Sequence, residues 1–341
     1  MIAALIAGLS GTKLTSDERS FYRGVRPAGV ILFKRNVTDA ELVKPLVHDV
    51  CEAIGRDDVL VLIDQEGGRV QRLKAPAASD LPAGAAYGQI FVQDPEAAKQ
   101  AAFNVARLTA EELKAYGINT NCAPVLDIPV AGAHDVIGDR AYGRDPDQVS
   151  AIGRAVAEGY LAGGVVPVIK HIPGHGRATS DSHFSLPVVA TTHAVLKRSD
   201  FAPFKALNDM PAAMTAHVIY AALDPNYPAS ISHKVTQDII RGEIGFQGLL
   251  MSDDLSMKAL KGPFRKRAEE VISAGSDLAL HCNGDLAEML SVAEGVPALG
   301  GLALKRFEAA IAVTKTSKPF DANEAKVHLK RLMRERETPT V

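Results

Sequence analysis

The sequence is poor in cysteine and contains no tryptophan. Its three cysteines, Cys51, Cys122 and Cys282, are far apart, and an odd, scattered set is not a disulfide framework. No two of them have the short CxxC spacing that is typical of a structural zinc site. All three lie in apolar stretches, so we expect buried thiols in a protein of a reducing compartment.

Neither sign of charge dominates, and long apolar runs are missing. Lys and Arg together number 38, Asp and Glu 40, and the formal net charge is −2. Proteins that bind nucleic acid in general are usually basic, so this balance argues against one. The apolar start, MIAALIAGLS, is too short to cross a bilayer and lacks the basic residues of a signal peptide. We therefore expect a cytoplasmic protein with neither a nucleic-acid nor a membrane partner.

Short β-rich runs alternate with longer helical patterns along the chain. The predicted strands are 3–9, 29–33, 59–63, 119–125, 165–170, 212–217, 248–252 and 277–281. Eight such βα units favour a closed (β/α)8 TIM barrel. A doubly wound sheet is the alternative, but no GxGxxG motif follows any of these strands. We expect 1–341 to form a single barrel domain, with 317–341 as a terminal helix or tail.

The helical patterns lie between and after these strands. They cover 39–54, 95–116, 146–162, 194–208, 233–244, 264–274, 285–294 and 302–315. Thr38, Asp94 and Asp145 are the expected N-caps of the first three. Charges of both signs alternate over 326–337, which predicts a solvated terminal helix there.

Ionisable residues concentrate where the predicted strands end. Active sites of TIM barrels lie at the carboxyl ends of the strands, so these residues are the candidates for chemistry. Taken singly, each has a structural interpretation, such as a helix cap for Asp64. Their clustering at one rim favours function. In chain order they are Asp64, Glu66, Arg69, Arg72, Arg140, Lys170, His171, His175, Asp181, His183, His217, Asp253, Asp254 and His281.

Three separated motifs carry a specific resemblance. They are LIDQEGGRVQRL at 62–73, KHIPGHG at 170–176 followed by SDSH at 180–183, and LLMSDDLSM at 249–257. In this combination and order they resemble glycoside hydrolase family 3, and most closely its single-domain bacterial β-N-acetylhexosaminidases. Members with a second domain donate a Glu acid/base from it, whereas this sequence keeps the DSH loop of the single-domain branch.

The resemblance implies a retaining exo-β-N-acetylglucosaminidase that acts on GlcNAc–anhydromuramyl peptides in peptidoglycan recycling. It makes Asp253 the nucleophile, although strand alternation alone leaves Asp254 as a rival. It makes His183 the acid/base and Asp181 its partner. Because Gly174 and Gly176 lie in the approach to this loop, we expect His183 to enter the site when sugar binds.

The same resemblance implies a sugar-binding set and no cofactor. The matching residues are Asp64, Arg72, Arg140, Lys170 and His171. We expect no metal, a monomer, and an oligosaccharide as the only partner. Two alternatives stay open at this point. One is a metal-dependent amidohydrolase that uses His171, His175, His183 and Asp253, and the other is a sugar-binding barrel without activity.

Overall fold

The computed structural model describes residues 1–335 and consists of a closed barrel of eight parallel strands. Neighbours in the barrel are also neighbours in the chain, as expected of successive right-handed βα units. The predicted (β/α)8 barrel and all eight predicted strands are confirmed. The strands are β1 (Ala3–Gly8), β2 (Pro27–Leu32), β3 (Leu60–Ile63), β4 (Thr120–Asn121), β5 (Val166–Ile172), β6 (Ala212–Thr215), β7 (Leu249–Asp254) and β8 (Leu278–His281).

Helices surround the barrel and follow the strands in turn. They are α1 (Ser16–Val25), α2 (Ala40–Ile54), α3 (Gly84–Gln93), α4 (Pro95–Ala115), α5 (Pro146–Ala162), α6 (His193–Arg198), α7 (Ala202–Ala206), α8 (Phe264–Ala274), α9 (Leu286–Glu294), α10 (Gly301–Val313) and α11 (Ala322–Glu335). A π-helical segment, Val235–Glu243, replaces the helix predicted at 233–244. Within 1–335, none of these helices combines the length and the apolarity needed to cross a membrane.

Two helices were not predicted, for different reasons. α1 is short and polar, but Thr15 and Glu18 form a capping box that the sequence already contained. α3 begins at a glycine, and no side chain caps its first turn, so the sequence offers no start signal.

The predicted helix 194–208 is two short helices, and one predicted N-cap is wrong. Pro203 lies in the first turn of α7, where its ring cannot continue a helix from α6. Asp39, rather than Thr38, caps α2, because its carboxylate accepts the N–H of Glu41. Asp94 and Asp145 cap α4 and α5 as predicted.

The terminal helix is only partly solvated. Ala325, Leu329 and Leu332 of α11 are buried, and this helix packs on α4. Nδ2 of Asn104 on α4 lies 2.9 Å from Nδ1 of His328. Residues 336–341, the end of the predicted tail, lie outside the described residues.

Alternate side chains of the strands fill the barrel interior. Ala4 and Ile6 of β1 point inward, and so do Leu249 and Met251 of β7. The residues between them pack outward against the helices, so most strands are apolar on both faces, whereas β4 consists of the buried polar residues Thr120 and Asn121. The ionisable residues of the strands lie towards their carboxyl ends, and these ends form the barrel mouth.

Candidate active site

A hairpin after β3 places carboxylates and an arginine at the mouth. Gln65–Gly67 pairs antiparallel with Val70–Gln71. The turn needs glycine at Gly67, where φ is +111° and a Cβ would lie 2.1 Å from a backbone carbonyl oxygen. The hairpin brings Arg72 back to the end of β3, where its Nη2 donates to Oδ2 of Asp64 at 2.9 Å.

Lys170, near the end of β5, joins two carboxylates. Its Nζ donates to Oδ1 of Asp64 at 2.9 Å and lies 2.6 Å from Oε1 of Glu66. Arg140 holds Glu66 from the other side, since its Nε and Nη2 each donate to one carboxylate oxygen at 2.8 Å. The result is an alternating row of charges, Arg72–Asp64–Lys170–Glu66–Arg140, which we call the charge row. Each carboxylate in it lies between two cations.

Burial and ion pairing shift the pKa values of the charge row in opposite directions. Burial raises the pKa of Asp64, but the charges of Lys170 and Arg72 outweigh it and hold that pKa well below its usual range. Burial of Glu66 is likewise outweighed by Arg140 and Lys170, and its pKa is lowered. Burial lowers the pKa of Lys170, but both carboxylates oppose this, and the net shift is upward. These three groups therefore stay charged near neutral pH.

β7 ends in two aspartates with different surroundings. Both Asp253 and Asp254 line the mouth, and the pairing register shifts between Met251 and Asp254, so alternation does not distinguish the two. The Asp254 carboxylate accepts hydrogen bonds from N and Oγ of Ser256 and from N of Cys282. Among residues 1–335, the N–H of Asp254 is the one hydrogen-bond donor to the Asp253 carboxylate. Asp253 therefore keeps an oxygen for a ligand, and Asp254 does not.

The Asp253 carboxylate is held in its ionised form. Burial raises its pKa, but the imidazoles of His171 and His217 and the N–H of Asp254 outweigh burial and lower the pKa below its usual value. His217 is fixed in place, with Nδ1 2.6 Å from Oγ of Ser230 and Nε2 3.1 Å from the carbonyl oxygen of Asp254.

The loop after β5 carries an Asp–His pair over the mouth. Nδ1 of His183 lies 2.7 Å from Oδ1 of Asp181, and the His183 N–H donates to the same oxygen at 2.9 Å. Burial raises the pKa of Asp181, but the hydrogen bonds from His183 outweigh it and lower the pKa. The His183 ring lines the cavity described below. The expected movement of this loop on sugar binding stays a prediction.

Asp127, which the sequence did not single out, orients His171. Its Oδ2 lies 2.6 Å from Nδ1 of His171, and its Oδ1 accepts the backbone N–H groups of His171 and His175 at 3.2 and 2.6 Å. Burial raises the pKa of Asp127, but the charge and hydrogen bond of His171 outweigh burial and lower the pKa to about 2. An ionised Asp127 accepts a proton-bearing Nδ1, so Nε2 of His171 is left for the cavity.

These side chains enclose one cavity of about 150 Å³ at the barrel mouth. Pockets for drug-sized ligands measure roughly 300–1,000 Å³, so this one suits a single small unit. Its polar lining consists of Asp64, Glu66, Arg72, Arg140, Lys170, His171, His183, Asp253 and Asp254. A groove of about 700 Å³ lies between α4 and α5. That groove is on the helical flank, away from the strand ends, and so away from the ionisable cluster.

The structure brings together the catalytic and sugar-binding residues that the resemblance implied, and it adds Glu66, a strand-end candidate that had no assigned role, and Asp127, which was missed. Of the catalytic and sugar-binding residues that the resemblance implied, only Asp181 does not line the cavity, and it contacts His183 instead. The sequence signal for Glu66 is its position two residues after Asp64, since alternate residues of an extended chain point to the same side. Asp127 follows the end of the fourth strand, where only Arg140 was considered.

The remaining strand-end residues, Arg69, His175 and His281, contact other parts of the protein and do not line the cavity. Arg69 pairs with Asp139 on the rim at 3.0 Å. His281 is fully buried, and its ring packs edge-on against Phe264. His175 is buried, with Nε2 3.0 Å from Oγ of Ser182.

One group of potential metal ligands is present among the described residues. It consists of His48, Asp49 and Glu52 on the outer helix α2, with ligand atoms within 4.8 Å of one another. The residues of the amidohydrolase alternative, His171, His175, His183 and Asp253, do not form such a group within residues 1–335.

Comparisons with known proteins agree on one class of enzyme. The family model "Glycosyl hydrolase family 3 N terminal domain" matches residues 6–315. The chain is 39% identical over 287 residues to a beta-hexosaminidase of Alkalilimnicola ehrlichii, which covers 83% of this chain and 81% of that protein. Native NagZ from Neisseria gonorrhoeae is a structural neighbour with a TM-score of 0.84 and 33% identity, covering 96% of this chain and 97% of that one. The same enzyme in complex with N-trifluoroacetyl-D-glucosamine matches with a TM-score of 0.84, 34% identity and the same coverage.

Proposed function

The chain belongs to glycoside hydrolase family 3, and from this membership we propose that this β-N-acetylhexosaminidase is a retaining exo-enzyme. In our proposal it removes terminal GlcNAc from GlcNAc–anhydromuramyl peptides during peptidoglycan recycling. The small cavity supports an exo action, because its volume suits one sugar unit. The neighbour solved with N-trifluoroacetyl-D-glucosamine supports GlcNAc as that unit.

Asp253 is the nucleophile of the first step. Its free oxygen attacks the anomeric carbon, the bond from that carbon to the aglycone oxygen breaks, and a glycosyl-enzyme ester forms. Placement at the end of β7 supports this role, because a strand end is rigid and in-line attack needs a fixed geometry. The lowered pKa supports it as well, because the attacking carboxylate must be ionised.

His183 is the acid of the first step and the base of the second. It gives its Nε2 proton to the departing aglycone oxygen, and then takes a proton from the water that attacks the anomeric carbon. The water oxygen displaces Asp253, and two inversions leave the product with the β configuration of the substrate. Asp181 orients the ring through Nδ1 and stabilises the imidazolium.

The charge row and His171 bind the sugar hydroxyls. In this proposal Asp64 accepts two of them, while Arg72, Arg140 and Lys170 donate to others. The ion pairs among these side chains fix their positions before sugar arrives, so little side-chain entropy is lost on binding.

One observation carries the proposal: a carboxylate with a free oxygen and an Asp-bound histidine line the same small polar cavity. The test is a chromogenic N-acetylglucosaminide assay on wild type and Asp253→Ala side by side, followed by proton NMR of the first-formed sugar. We expect activity only in wild type, and the β-anomer first. An initial α-anomer would mean inversion and would remove the glycosyl-enzyme intermediate from the mechanism.

We further propose that the enzyme works as a monomer in the cytoplasm. Its three cysteines are free, and Cys122 and Cys282 are buried, as suits a reducing compartment. Cell fractionation and mass measurement in solution test these two points. Turnover of a purified GlcNAc–anhydromuramyl tripeptide, compared with chitobiose, tests the aglycone.

A further inference from the structure

Ser182 lies between the two residues of the Asp181–His183 pair, but its side chain points into the protein. Its Oγ is 3.0 Å from Nε2 of His175. Ser182 and His175 expose 2% and 3% of their surfaces, whereas the His183 side chain between cavity and solvent exposes 61%. A buried hydrogen bond thus holds Ser182 in the turn 181–185, in which residues 183–185 are exposed.

His175, the partner of Ser182 in this hydrogen bond, is fixed to the barrel. The backbone N–H of His175 donates to Oδ1 of Asp127 at 2.6 Å, and the same oxygen accepts the N–H of His171. The His175 ring packs edge-on against the His171 ring, with centroids 5.6 Å apart. His175 therefore has a set position relative to the end of β5 and to the sugar-binding cavity.

We propose that His175 and Ser182 form a latch that holds the Asp181–His183 pair over the barrel mouth. Both are positioning residues, since neither lines the cavity. The inference rests on the proposed acid/base role of His183 and deepens it, because it names what fixes that residue in place.

Among residues 1–335, the latch is the shortest hydrogen bond between this turn and other parts of the protein. Within the described residues, the other hydrogen bonds that reach it are longer: Lys258 N to His183 O at 3.4 Å, and Ala259 N to Ser182 O at 3.3 Å. When the turn lifts, the Ser182 hydroxyl regains water, but Nε2 of the buried His175 loses its partner. Nδ1 of His175 already lacks a partner among the described residues, so the ring has no second hydrogen bond to compensate. This asymmetry favours the closed position.

The first experiment compares Ser182→Ala with Ser185→Ala. Ser185 is exposed in the same turn, and no hydrogen bond from its hydroxyl is present among the described residues, so it is a matched control. We expect Ser182→Ala to lower kcat/KM roughly tenfold on a poor leaving group, as loss of one buried hydrogen bond would. On dinitrophenyl GlcNAc, whose departure needs no proton, the loss is less than about twofold. Ser185→Ala changes neither value.

A second readout reports the loop directly and needs no catalysis. The chain has no tryptophan, so Phe184→Trp introduces a single tryptophan at an exposed position of this turn, and its fluorescence can be excited selectively over that of the seven tyrosines. We expect Ser182→Ala in that background to lower the fluorescence anisotropy and to increase acrylamide quenching. Ser185→Ala leaves both unchanged. Thermal unfolding of each variant shows that the barrel is intact.

A double-mutant cycle tests that the two side chains act on each other. His175→Phe keeps a ring of similar size, and His175→Gln keeps a polar atom near the position of Nε2. We expect Ser182→Ala to add nothing to the effect of His175→Phe, and His175→Gln to retain most of the activity. Additive effects, or a loop that behaves alike in Ser182→Ala and Ser185→Ala, would overturn the latch. If the loop responds but His183→Ala shows no dependence on the leaving group, the latch stands and the acid/base role fails.

Discussion

The backbone N–H of Cys282 donates to Oδ1 of Asp254 at 3.0 Å, and this bond connects the ends of β7 and β8. The second Asp254 oxygen accepts the Ser256 hydroxyl. Asp254 thus fastens two neighbouring strand ends, and Asp253, one residue earlier, keeps a free oxygen at the mouth. Adjacent residues of one type have separate tasks because of what surrounds them.

Replacement of Asp253 should therefore lower mainly the activity, and replacement of Asp254 should lower mainly the stability. We expect Asp253→Ala to retain less than about 1% of kcat with little change in thermal stability. Asp254→Ala loses three hydrogen bonds and should lower the free energy of unfolding by roughly 1–3 kcal/mol, with a smaller loss of kcat. Initial-rate assays and chemical denaturation measure the two quantities. A fluoro-sugar inactivator with peptide mapping checks the nucleophile, and label on Asp254 would contradict the assignment.

The assignment of Asp253 also shows how much of the fold and the site could be predicted from the sequence. The barrel followed from eight β-rich runs with helical patterns between them, because alternation of elements leaves few topologies. Most polar strand-end residues followed from the rule that barrel sites lie at the carboxyl ends. The strand pattern left both Asp253 and Asp254 open, and the structure separates them by their hydrogen bonds, because in the described part of the chain the Asp253 carboxylate accepts one and the Asp254 carboxylate accepts three.

Glu66 and Asp127 show what local patterns leave out. Glu66 lies in a motif that was recognised, but its partner Arg140 is far along the chain, so only the closed barrel brings them together. Asp127 was missed because its partners, His171 and His175, belong to the next strand and its loop. Partnerships between successive strand ends depend on register, which the sequence does not state.

Loss of the His183 imidazole should depend on the leaving group. For kcat/KM, we expect His183→Ala to lose far more activity on a poor leaving group than on dinitrophenyl GlcNAc, which leaves without a proton. Azide should restore turnover of the activated substrate, because an anionic nucleophile needs no general base. Asp181→Asn should show a milder version, since the ring stays but loses its orienting charge. Equal losses on every aglycone without azide rescue would refute the role.

Glu66→Gln should weaken both the fold and the site. The substitution leaves Lys170 and Arg140 beside each other without the carboxylate that separates them. Breaking a buried ion pair costs about 3–5 kcal/mol, and we expect a loss near the lower end because the amide still accepts hydrogen bonds. We also expect kcat/KM to fall at least tenfold, since both cations shift. Glu269→Gln, in an exposed pair with Arg265, is the matched control and should change neither quantity. Similar results for the two variants would show that the charge row is not coupled.

Stability should fall as pH is lowered from about 6.5 to about 4, in part because of His175. The pKa of His175 is lowered to about 4, because burial and the nearby His171 lower it by more than Asp127 and Asp253 raise it. In this window the unfolded chain binds a proton at this position and the folded chain does not, so acid favours unfolding. At about 1.4 kcal/mol per pKa unit, the contribution lost between pH 7 and pH 5 is about 2 kcal/mol.

His175→Gln is neutral throughout, so its free energy of unfolding should vary less over this range. Denaturation curves of both proteins at pH 7 and pH 5 measure the difference, in which the shared effects of other titrating groups cancel. Parallel pH dependence in the two proteins would show that His175 is not held neutral by burial.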